Sequence, residues 1–137
     1  MKINPYLLVK NGKEAIKLYK ELFGAKLIDH RPATKELGQR FGFPEDYGYE
    51  NSTMHAELEI HGATIMLADN IRGKPGSGNV QVYVTLDSIK QLEEINDKVQ
   101  KKKLSISIPM GKTFWGSWLL IFEDPYGIVW QIAFSEE

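Results

Sequence analysis

Apolar positions along the chain change their spacing in a regular order. Tyr6-Leu7-Leu8-Val9 is a short continuous apolar run, the pattern of a buried strand. Asn11-Gly12 interrupts it. From Lys13 to Phe23, Ala15, Ile16, Leu18, Tyr19, Leu22 and Phe23 recur at helical spacing and form one stripe, and Gly24 follows as a natural helix stop. Ala25 to Asp29 predicts a second strand. Thr53 to Ile60 alternates strictly, with Met54, Ala56, Leu58 and Ile60 on one face and His55, Glu57 and Glu59 on the other, so one face lies on a core. His61-Gly62 is a turn, and Ala63 to Ala68 returns as the next strand.

Between these elements lies a long stretch, Arg31 to Ser52, that reads as irregular. It is punctuated by Pro32, Gly38, Gly42, Pro44 and Gly48 and carries Phe41, Phe43, Tyr47 and Tyr49. A loop of that length in a small domain is usually functional or disordered. The four aromatics fit a ligand entrance or a dimer surface, or a loop folded back on its own rings. Asp69 to Asn79, with Gly73, Pro75, Gly76, Ser77 and Gly78, has linker composition.

The pattern then starts again. Val80 to Leu86 is a strand, Asp87 or Ser88 can cap a helix striped by Ile89, Leu92, Ile95 and Val99, and Leu104 to Ile108 is another strand. Pro109 to Gly116 reads as a loop bearing Phe114 and Trp115. Trp118 to Phe122 and Ile128 to Phe134 are strands joined through Glu123-Asp124-Pro125-Tyr126-Gly127, a turn by composition. Strand–helix–strand–strand–strand thus occurs twice. An offset of 77 sets Val9 against Leu86, and an offset of 65 sets Gly62 against Gly127. The expected fold is α+β: a single domain, 1–137, made of two βαβββ modules, 1–69 and 80–137, joined by a linker, 70–79. Helices cover one side, and the other side forms a curved mixed sheet around a cup, the usual geometry for a small ligand.

Composition narrows the function classes. Hydrophobic residues make up 42% and charged residues 26%, with a formal net charge of -1. The densest basic run, Lys101-Lys102-Lys103, fits a solvated helix end. No nucleic-acid or membrane partner is expected. The absence of cysteine excludes disulfides, thiolate nucleophiles and sulfur-ligated zinc. Met1-Lys2-Ile3-Asn4-Pro5 leads directly into a strand-like run, and no apolar stretch approaches the ~20 residues of a membrane helix, so a cytoplasmic protein is expected. The Gly73–Gly78 stretch lacks the ending of a phosphate loop, and no glycine-rich motif follows a strand, so no cofactor is expected.

Three stretches then resemble a known family. They are Leu18-Tyr19-Lys20-Glu21-Leu22-Phe23-Gly24-Ala25, Met54-His55-Ala56-Glu57-Leu58 running to Met66-Leu67-Ala68-Asp69, and Thr113-Phe114-Trp115-Gly116 leading to Asp124-Pro125-Tyr126-Gly127-Ile128-Val129-Trp130. The chain is similar in these to the vicinal oxygen chelate superfamily of glyoxalase I, extradiol dioxygenases and bleomycin- and fosfomycin-resistance proteins, and within it to the PhnB-like branch. The resemblance implies paired βαβββ modules, a homodimer, and a small molecule in the cup. Metal-dependent members place a ligand on the first and last strand of each module. Carried over by strand position, these sites fall near Asn4, Met66, Gln81 and Gln131, and none is His, Asp or Glu. Two kinds of donor that hold divalent ions, carboxylate and imidazole, are missing there, so no metal is expected.

Alternation supplies candidate ligand-binding residues. Tyr6 shares a face with Asn4, and Tyr83 shares one with Gln81. His55 and Glu57 are neighbours on the polar face of their strand, with Trp118, Leu120 and Phe122 taken as the matching face of the second module. The candidate set is Tyr6, His55, Glu57, Gln81, Tyr83, Trp115, Phe122 and Gln131. His55 and Glu57 fit ligand contact, general acid–base work, or an ordinary polar pair. Trp115 is either a lid over the ligand or a core residue, and Trp130 is assigned to the core. The leading expectation is metal-independent small-molecule binding. The alternative is a divalent-metal-dependent lyase, isomerase or dioxygenase using His55 and Glu57, and a third is a structural or regulatory dimer with a filled cup.

Overall fold

The computed structural model describes residues 2–44, 46–70, 76, 78–113 and 115–135. The chain divides into two compact units, Met1–Lys74 and Pro75–Glu137. In the first, β1 (Tyr6–Val9), α1 (Gly12–Phe23), β2 (Lys26–Arg31), β3 (His55–Ile60) and β4 (Ala63–Asp69) form a four-stranded mixed sheet of order β1-β4-β3-β2 with a helix. In the second, β5 (Val82–Thr85), α3 (Ile89–Lys101), β6 (Ser105–Lys112), β7 (Ser117–Glu123) and β8 (Val129–Ser135) repeat this as β5-β8-β7-β6. In each unit the first strand pairs parallel with the last, and the other pairings are antiparallel. The α+β reading as two βαβββ modules holds, with a separate sheet in each.

Capping chemistry fixes the helices. The Asn11 side chain accepts a hydrogen bond from the Glu14 N–H, and Gly24 ends α1 at φ 65, a left-handed conformation that only glycine adopts at no steric cost. Ser88, the second of the two proposed caps, forms a reciprocal capping box with Gln91 at the start of α3. The predicted stripes are buried except at Leu18 and Ile89, which are half-buried. Ala15, Ile16, Tyr19, Leu22 and Phe23 face β1, β3 and β4, and Leu92, Ile95 and Val99 face β7 and β8.

Two stretches read as loops contain regular structure. Within 31–52, α2 (Lys35–Phe41) starts at Thr34, whose hydroxyl accepts from the Leu37 N–H at 3.2 Å, and a 3-10 turn spans Tyr49–Asn51. Gly38 hid this helix by composition. It is needed because a Cβ there would collide with the Tyr49 ring. The predicted loop from Pro109 is strand as far as Lys112. Pro109 sits at an irregularity in β6, an edge strand, where a missing N–H costs no ladder bond.

The register corrects one face assignment. β3 and β4 are joined by the two residues His61-Gly62, whereas Asp124–Ile128 separate β7 from β8. That difference is odd, so one offset cannot serve both strands of the hairpin. Met66 stands opposite Glu57, and its counterpart Gln131 stands opposite Ile121. Phe122 is therefore the counterpart of Leu58. It lies on the core face opposite Trp130, with both side chains fully buried, and does not share the face of Gln131.

Candidate functional site

Each sheet has one face packed by its helix and one face without it. On the helix-free face of the first unit, the register sets Asp29, Glu57, Met66 and Tyr6 side by side across β2, β3, β4 and β1. Arg31 stands opposite His55 on the neighbouring pair, and its guanidinium is 2.9 Å from Asp29. Tyr6 is 47% exposed, and its hydroxyl lies 3.0 Å from His55 Nδ1 with the two rings 5.6 Å apart. Partial burial raises the Tyr6 phenol pKa above its ordinary value, so the hydroxyl keeps its proton through the neutral range. Sheet order thus brings together Tyr6, His55 and Glu57 from the candidate set.

The corresponding row of the second unit is Ile108, Ile121, Gln131 and Tyr83. Tyr83 is 56% exposed. The Gln131 amide donates to the Gln81 side-chain carbonyl at 2.7 Å, and the Gln81 amide donates to the Gly78 carbonyl at 2.8 Å. Gln81, Tyr83 and Gln131 are therefore grouped on this face. Trp115 is displayed at the tip of the β6–β7 turn, which is tied by Thr113 Oγ1 to Ser117 at 2.9 Å. Phe114 lies outside the described residues. Phe122 leaves the set because its ring is enclosed in the core.

Two carboxylates overlooked as organising groups support these faces. Asp69, at the end of β4, accepts from the Gly12 N–H at 2.7 Å, the Thr53 N–H at 2.9 Å and the Tyr47 hydroxyl at 2.6 Å. Its charge sits at the N-terminus of α1, where it is favourable. Gly12 permits this approach, because a Cβ there would lie 2.5 Å from Thr53 Cβ. The Tyr47 phenol is pushed far up by burial first, then by the Asp69 hydrogen bond and charge, with a further push from Tyr49. Tyr47 stacks edge-on with Phe43 and Tyr49, so these three rings of the long excursion fold onto one another. A cavity of about 440 Å³ opens beside them, lined by Lys35, Asp46, Tyr47, Tyr49, Glu50 and Asn51, and it contains none of the candidate residues. In the second unit, Asp124 accepts from the Tyr126 and Ile128 N–H groups and from the buried Trp130 indole at 2.9 Å. The Asp-Pro-Tyr-Gly turn is thus a structural lock. An Asp closing a strand was the available sequence signal for both, but their partners are brought in by tertiary folding.

A family model described as the Glyoxalase/Bleomycin resistance protein/Dioxygenase superfamily matches residues 2–132. The chain belongs to this superfamily. Protein PA1353 from Pseudomonas aeruginosa is 26% identical, with 100% of this chain and 99% of that one covered and a TM-score of 0.76. The PhnB protein from Bacillus cereus is 19% identical, over 98% of this chain and 100% of that one, also at TM-score 0.76. The fosfomycin resistance protein FosX from Listeria monocytogenes shares the fold at 12% identity and TM-score 0.70, over 98% and 93% of the two chains. No curated protein matches significantly.

The residues that the resemblance sets at metal positions, Asn4, Met66, Gln81 and Gln131, include no carboxylate or imidazole. Met66 offers a thioether, and Gln81 and Gln131 are neutral amides bonded to each other. Neutral donors of this kind hold hard cations weakly. Among the described residues, no three His, Cys, Asp or Glu side chains gather in a group that could hold a metal ion. No helix among the described residues is long and apolar enough to cross a membrane.

Proposed function

We propose that this chain is a cytoplasmic, homodimeric PhnB-like protein of the glyoxalase fold that binds a small organic molecule on its helix-free sheet faces without a divalent metal. One observation carries the reading. Tyr6 and Tyr83 occupy equivalent positions, each about half exposed and each beside hydrogen-bonding side chains. Half-exposed tyrosines next to fixed polar groups supply stacking area and orientation together. A carrier or sequestering role is the form of binding proposed, on a fold shared with the fosfomycin resistance protein FosX.

A thermal-shift screen of small aromatic and polar compounds tests the reading, with light scattering for the dimer. A ligand at about 100 times its Kd stabilises by roughly 2.7 kcal/mol. Tyr6→Ala or Tyr83→Ala is expected to remove most of that gain. Stabilisation that survives both substitutions, or that requires a stoichiometric divalent ion, would sink the proposal. The acid–base alternative retains one supporting observation, the Tyr6 hydroxyl beside His55. It requires a metal-free turnover that is lost in His55→Ala.

A further inference from the structure

We infer that Tyr6 fixes the tautomer of His55, so that the first unit presents an Nε2–H donor beside the Glu57 carboxylate and takes a ligand bearing both a carbonyl oxygen and an amine. The inference rests on the small-molecule reading above and names the chemistry of its ligand. Among the described residues, the Tyr6 hydroxyl has one hydrogen-bonding partner, His55 Nδ1 at 3.0 Å. A protonated phenol is a strong donor and a weak acceptor, and a neutral imidazole has one nitrogen that is a good acceptor. Nδ1 is that acceptor, so the Tyr6 O–H donates to it. An Nδ1 that accepts carries no proton, and the neutral imidazole then holds its proton on Nε2.

The neighbouring charges leave this arrangement intact. Arg31, opposite His55 on β2, is engaged with Asp29 at 2.9 Å. Glu57 follows His55 by two positions on the same face of β3, and among the described residues it has no hydrogen-bond or ion-pair partner. Two positions along a strand separate the two Cα atoms by about 6.6 Å. The face therefore offers a donor for a carbonyl oxygen and, a few ångströms away, an anionic acceptor for an amine. In the register row of Glu57, Met66 and the Tyr6 ring provide an adjoining apolar surface.

Imidazole nitrogen NMR at about pH 8.5, above histidine's ordinary titration range, reads the tautomer directly. His55 is expected as the Nε2–H form alone in the wild type and as a mixture in Tyr6→Phe. His30, whose Nε2 lies 3.0 Å from Thr53 Oγ1, serves as an unaffected control. Titration with γ-aminobutyramide and butyramide reads the ligand chemistry. The amine-bearing probe should bind about tenfold more tightly to the wild type, as a charge-assisted hydrogen bond gives, and Glu57→Gln should erase the difference. A wild-type His55 protonated on Nδ1, or an unchanged tautomer ratio in Tyr6→Phe, overturns the assignment to Tyr6. Equal affinity of the two probes overturns the ligand class. If the tautomer is as expected but no screened compound stabilises the protein, the binding reading fails while the Tyr6–His55 assignment stands.

Discussion

The two helix-free faces are built on one scaffold and carry different chemistry. Their counterpart rows run Asp29, Glu57, Met66, Tyr6 in the first unit and Ile108, Ile121, Gln131, Tyr83 in the second. Only the tyrosine is kept. Where one row has carboxylates, the other has isoleucines. The polar element of the first unit is a titratable Tyr6–His55 pair, and that of the second is a neutral Gln81–Gln131 pair. The faces away from the helices differ in chemistry, while the core faces stay apolar in both units.

The sharpest way to break this comparison is to test the register that defines it. Phe122→Ala should cost about 4 kcal/mol, as expected for an aromatic in a closed core, whereas Ile121→Ala one position earlier should cost about 1 kcal/mol. Denaturant titration of the two variants measures this, and similar losses would dissolve the distinction between faces. Next in size is the lock of the second unit. Asp124→Ala leaves the buried Trp130 indole and two backbone donors without their acceptor, and should cost about 3 kcal/mol with a blue-shifted tryptophan emission lost. In the first unit, Gly12→Ala forces a methyl group against Thr53 and should cost about 2 kcal/mol by the same measurement. The helix of the second unit starts at Ile89, not at a glycine, and Ser88 caps it with a reciprocal capping box.

The smallest effect is pH-dependent. Because the Tyr47 pKa is raised in the folded state, its contribution is fully present below the ordinary phenol value of about 10 and is lost as pH rises from there towards the folded value. Tyr47→Phe should be less stable by about 1 kcal/mol at neutral pH, and the two proteins should converge in strong alkali. Alkaline stability curves check the sign. A gap that widens with pH would remove Asp69 as the partner of Tyr47.

Much of the fold was legible in the sequence because local signals and global order agree. Stripes such as Leu92, Ile95 and Val99, alternation from Met54 to Ile60, and glycine-marked turns each report the face a residue will bury. The α2 segment was not legible because Gly38 answers to Tyr49, a tertiary neighbour. What alternation could supply was a list of candidate positions on or beside strands away from the core: Tyr6, His55 and Glu57 in one unit, and Gln81, Tyr83 and Gln131 in the other. Phe122 was misplaced because an offset taken from the final strands was carried across a turn of different length. The Tyr6–His55 contact has no local signature at all. It exists because β1 and β3 both flank β4.

The position of β1 in that order also has a kinetic side. Among the described residues, each unit's first strand pairs only with that unit's last strand, so Tyr6 has no strand neighbour until Met66 has been made, nor Tyr83 until Gln131. Pairings between distant segments close late because chain entropy is lost before the contacts repay it. During synthesis, each module therefore waits on its own final strand, and the tyrosine of its open face is among the last residues to be held.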